Sequence, residues 1–238
     1  MNDRDIDDIL RKAAGAPPQV DPELVDRISG SIRSSLSPVR PLPPAWLLKS
    51  ALFAICAAVA LAGAAALGLY GIKKLSAMEI ALIFPALGIF TWLAATLSVG
   101  EMTPGSRRRM SPARLLVAGS LSLAAVFALL FHDYRVDRFV PQGLICLTAG
   151  LLHALPAGLA SWLLLQRGFA VNPAAAGLAA GTLASLAGVT MLELHCANLQ
   201  ALHVMVWHTA VIPVSGLAGA ALGWSRASGG RPKAPLMH

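Results

Sequence analysis

The sequence predicts an all-α polytopic membrane protein with six transmembrane helices and a short amphipathic N-terminal cytoplasmic segment. Of 238 residues, 56% are hydrophobic and only 13% charged, with a mean hydropathy of +0.65, which excludes an ordinary water-soluble globule. Seven acidic and seven basic residues fall within 1–49, so the net charge of +7 belongs to the hydrophobic remainder, where basic residues sit in short breaks between apolar runs. Those breaks bound six charge-free windows: 50–72, 80–100, 115–132, 139–166, 168–192 and 194–225. About 20 apolar residues rising ~1.5 Å each cross a hydrocarbon core of roughly 30 Å. Each window is long enough, and without water every amide must be paired inside its own helix. The Ala- and Gly-rich composition lacks the alternation a barrel strand needs.

Three segments follow from this pattern: a head at 1–45, a transmembrane domain at 46–225 and a tail at 226–238. In the head, Ile6, Ile9, Leu10 and Ala13 recur at helical spacing, with Asp5, Asp7 and Asp8 at the start and Arg11 and Lys12 at the end, as the helix dipole favours. Gly15-Ala16-Pro17-Pro18 stops that helix. Asp21 before Pro22 and Glu23 is an N-cap signature, and Leu24, Val25, Ile28, Ile32 and Leu36 form a second apolar stripe. The proline-rich run 38–44 is a stiff lead into the membrane. Two such short helices bury little by themselves. Their stripes, Ile6, Ile9, Leu10, Leu24, Val25, Ile28 and Ile32 above all, call for another surface: a partner protein, the bilayer interface, or the protein's own cytoplasmic loops.

No secretory signal peptide is visible, since the first apolar run lies behind a charged segment. Lys and Arg on alternate sides number fifteen against four, the minority being Lys73, Lys74, Arg135 and Arg138. The positive-inside rule therefore places both termini in the cytoplasm. The same rule accounts for the basic balance without direct nucleic-acid binding. Trp46, Tyr70, Trp162 and Trp224 fall near span ends, as an aromatic belt requires. Gly177-x-x-x-Gly181 and Gly219-x-x-x-Gly223 offer faces for close helix packing. Glu79, Glu101 and Glu193 fall near the interfaces, and the spans carry too few ionisable groups for an evident ion path.

Cys56, toward the inner end of the first span, reads as a small apolar filler. Cys146 and Cys196 both lie toward the outer face, where they are able to approach each other. A structural role, a disulfide, and ligation of a thiophilic metal with the adjacent His195 all remain open, with His132 and His203 near the same face. On an ideal helix His203 and His208 stand roughly 140° apart, which opposes a shared site. His153 and His208 are deeper and suit interhelical hydrogen bonds, or as a remote alternative haem ligation. No phosphate loop, His-Glu-x-x-His motif or nucleophile-base set is present, so an enzyme is not expected.

From Cys146 onward the chain resembles the negative-regulator-of-sigma-F (NrsF) family of membrane anti-sigma factors. The resemblance rests on Cys146, Leu155-Pro156, the run Leu163 to Gly168, Pro173 to Gly177, Leu194-His195-Cys196, Trp207, Pro213 and Gly216 to Gly223. It implies an inner-membrane protein whose N-terminal segment holds an extracytoplasmic-function sigma factor away from RNA polymerase. It also implies that Cys146 and Cys196 take part in detecting metal ions or oxidants, with no resident cofactor beyond a transient heavy-metal ion. The alternatives are a small transporter or channel subunit and a cofactor-binding membrane protein.

Overall fold

The computed structural model describes residues 21–35, 42–103, 105–106, 110–168 and 170–229, with Asp5, Asp8, Ile9 and Lys12 of the head. Every regular element among the described residues is helical, and six helices are long and apolar enough to cross a membrane. The chain divides into two compact units, Met1–Pro41 and Leu42–His238.

In the first unit Asp5, Asp8, Ile9 and Lys12 are helical, and α1 spans Pro22–Ser35. Asp21 caps α1: its side chain accepts from Glu23 N–H at 3.0 Å and its carbonyl from Val25 N–H. Leu24, Val25, Ile28 and Ile32 are 43–53% exposed, so the predicted stripe lies open. Ile9 is exposed as well, whereas Ile6, Leu10 and Leu36 lie outside the described residues.

The second unit contains α2 (Ala45–Leu67), α3 (Ala77–Met102), α4 (Pro112–Leu130), α5 (Phe139–Leu165) and α6 (Pro173–His195). A last continuous helix, α7, runs as Ala201–His203, a π turn at Val204–His208, and Thr209–Gly229. The charge-free windows misplace several ends, because hydrogen-bonding caps stop helices where charges do not. Ser76 and Glu79 form a reciprocal capping box that starts α3, while Ser111 and Asn172 cap α4 and α6 ahead of Pro112 and Pro173. The first span begins at Ala45 with Lys49 inside it, α6 continues past Glu193, and α7 runs through position 226 to Gly229. The boundary expected between transmembrane domain and tail thus falls within a helix.

Helix α6 is the axis of the bundle: 78% of its apolar span is buried, against at most 33% for any other. Small residues explain this position. A Cβ on Gly177 would collide with the Gly219 carbonyl, one on Gly219 with that of Gly177, and one on Gly188 with that of Gly150. The two Gly-x-x-x-Gly motifs therefore meet each other across the α6–α7 contact, and α5 lies almost as close on another side.

Candidate functional site

At the α6–α7 turn the backbone places Cys196 immediately after α6, with its N–H held by the Leu192 carbonyl at 2.7 Å. Cys146, about two turns into α5, faces it with the two Sγ atoms 3.5 Å apart. Both are free thiols, Cys196 buried and Cys146 partly so. The neighbouring Cys146 sulfur and burial push the Cys196 thiol up from its ordinary value, so it holds its proton more tightly than a free cysteine.

The π turn changes which histidines belong to this centre. Its i→i+5 bonding brings residues five apart onto one face, whereas the α-helical expectation separated His203 from His208. Their rings lie 5.3 Å apart edge to face, and His203 Nε2 stands 3.6 Å from Cys196 Sγ. One ligand atom from each of Cys146, Cys196, His203 and His208 lies within 4.8 Å of every other. Two thiolates bound to tetrahedral zinc, at about 2.3 Å each, stand about 3.8 Å apart. The donor set and its spacing therefore suit zinc or another thiophilic divalent ion.

Glu193 completes the arrangement, and sequence reasoning missed it by treating it only as an interfacial charge. It is buried near the end of α6, and its Oε1 accepts from His208 Nδ1 at 2.6 Å. In the neutral ring, donation from Nδ1 to Glu193 puts the lone pair on Nε2, the nitrogen left to face the thiols. A carboxylate that fixes the far nitrogen is what orients imidazole metal ligands. The detectable signal was the five-residue spacing of His203 and His208, one π turn.

The other sequence candidates lie elsewhere. His195, expected beside Cys196 as a ligand, turns away: its Nδ1 donates to the Gly68 carbonyl at 2.8 Å, and its ring meets Tyr70 edge on. His153 donates Nδ1 to Ala149 of its own helix and packs against Gly63, so the expected interhelical bond is made by His208 alone. His132 is exposed and Cys56 is a buried filler on Leu183.

His195 instead belongs to a strap between the α2–α3 turn and the end of α6. Gly71 N–H donates to the Leu194 and His195 carbonyls, Ile72 N–H to Leu194, and Lys74 Nζ to the Ala197 carbonyl. A Cβ on Gly71 would strike the Glu193 and Cys196 carbonyls, and Gly68 has φ +103°, so both positions require glycine. The C-terminal end of α2 is thereby tied directly to the backbone that carries Cys196.

Residues 34–226 match the family described as negative regulator of sigma F, which covers all six spans and the centre but little of the head. No curated protein and no solved structure matches the chain.

Proposed function

Because the chain belongs to the negative-regulator-of-sigma-F family, we propose that it is an inner-membrane anti-sigma factor regulated through its Cys146/Cys196 centre. Its N-terminal segment holds an extracytoplasmic-function sigma factor and lets it go when the two thiols are oxidised or ligate a metal ion. The observation that carries this reading is the convergence of two thiols and two imidazoles at one end of the bundle. The fifteen-to-four distribution of Lys and Arg supports an outward-facing centre and cytoplasmic termini.

Oxidation removes two electrons and two protons to an external oxidant and joins the sulfurs. Their separation must then shrink from 3.5 Å by about 1.5 Å, drawing α5 toward the α6–α7 turn. Metal ligation displaces the thiol protons with a smaller change of spacing. Either event reaches the head only if the altered centre is compatible with a bundle that binds sigma factor less well. The strap to α2 supplies a path, since α2 is the span that continues from the head. His195→Ala is expected to leave thiol oxidation and metal uptake intact while blunting release of the sigma factor. Thiol labelling and sigma-factor release measured on one preparation separate the two effects, and an undiminished release would remove the strap from the mechanism.

Burial of exposed apolar side chains drives the partner contact. Anchors at the centre of such an interface are each worth about 2 kcal/mol or more. In the full-length protein, L24D/I28D is expected to weaken sigma-factor capture about a thousandfold without disturbing membrane insertion. Co-purification from membranes with quantified insertion tests it, and unchanged capture would overturn the assignment of the head. Within the centre, Glu193→Gln is expected to weaken zinc binding about tenfold, read by competition with a chromophoric chelator.

A further inference from the structure

Helices α5 and α7 both pack on α6 but diverge from each other, leaving a trench of about 910 Å³ along the surface of the bundle. Its floor is built from the small residues of α6, among them Ala180 and Ala184, and its walls from Leu155 and Leu159 of α5 and Val214 and Leu222 of α7. Those wall residues are 43–64% exposed, so the trench opens sideways to whatever surrounds the helices. Along α5 the lining runs from Leu151 to Trp162, a rise of about 16 Å and close to half the roughly 30 Å hydrocarbon thickness. The trench therefore reaches from mid-depth to one interface only, the end remote from Cys146 and Cys196.

Polar groups gather at that interfacial end. The Arg226 guanidinium lies 4.8 Å from the centre of the Trp162 ring, and Ser225 lines the same mouth. With its amide oriented to satisfy both neighbours, Gln166 accepts from Trp162 Nε1 at 2.6 Å and Arg226 Nη1 at 3.2 Å. Stacking and one hydrogen bond hold the guanidinium at the mouth while engaging few of its five donors. The expected interfacial tryptophan at 162 thus serves as a platform for a cation.

We propose that this trench is a binding site for an anionic phospholipid, one acyl chain lying along the α6 floor and the phosphate meeting Arg226. The combination identifies the occupant: an apolar slot one leaflet deep matches an acyl chain, and a fixed cation at its interfacial end, Arg226, matches a charged headgroup. A transmembrane helix of a second copy would need the full bilayer depth and has no use for an arginine at one end.

The test uses the full-length protein in detergent, supplied with equal phosphatidylglycerol and phosphatidylcholine, with retained lipid counted by native mass spectrometry. The wild type is expected to favour phosphatidylglycerol about fivefold, the effect of one interfacial cation. Arg226→Gln is expected to retain lipid without that preference. Ala218→Trp, a substitution from an exposed lining position into the trench, is expected to retain neither lipid while keeping the wild-type unfolding temperature. Equal retention of both lipids by the wild type, an unchanged preference in Arg226→Gln, or a dimer cross-linked through Ala218→Cys would each overturn the proposal.

Discussion

Gly177→Leu is expected to prevent the bundle from assembling, with Gly219→Leu close behind. Any side chain at Gly177 points at the Gly219 carbonyl, and the reciprocal collision holds for Gly219. Overpacking a core ordinarily costs about 1–3 kcal/mol, relieved by rotamer changes in the neighbours. Here the obstructing atoms are backbone on both sides, so relief requires α7 to leave α6, and the cost lies at or above the top of that range. Because α6 is the axis, separation there also exposes the floor on which α5 packs. The measurement is the thermal unfolding midpoint of purified protein, with Gly88→Leu as control, since a Cβ at Gly88 meets nothing within 4 Å. Equal midpoints for the Gly177 and Gly88 variants would show that the two helices do not approach at this point.

The six spans were legible in the sequence because hydropathy is a local property: a window long enough and free of charge crosses the bilayer whatever its neighbours do. Helix ends were less legible, since Ser76 with Glu79 and Asn172 before Pro173 set them through hydrogen bonds that charge boundaries do not report. The axial position of α6 was only half visible. Gly177 and Gly219 announced close contact, but not that they contact each other. At the centre, topology alone brought Cys146 and Cys196 to one face, and the structure puts them 3.5 Å apart. Adjacency in sequence misdirected the choice of histidine, because successive residues at a helix end point different ways and His195 is drawn off by Gly68. Ideal helical angles likewise hid His203 and His208, whose common face exists only through the π turn. Glu193 was misread because its depth was judged without its partner. A charge near an interface looks solvated until an imidazole on the next helix is found against it.

Cys196→Ser and Cys146→Ser are each expected to abolish signal-dependent release of the sigma factor while leaving insertion and capture intact. A disulfide needs both sulfurs, so under oxidation the two variants lose the response equally and completely. Under metal ligation the histidines become decisive. His203→Ala and His208→Ala remove one donor each, and response to zinc falls with theirs, whereas response to an oxidant survives. Acidity opposes both signals, since each requires loss of the thiol protons. Metal binding must expel thiol protons, and the Cys196 thiol is already pushed up by its neighbour and by burial, so apparent zinc affinity falls as pH falls. Glu193 does distinguish the two signals, because its bond to His208 Nδ1 matters for presenting Nε2 to a metal but has no part in joining two sulfurs. Release measured with zinc and with an oxidant across the four variants therefore assigns the chemistry. Release that persists in both serine variants under both signals would mean that the thiol pair is not the sensor.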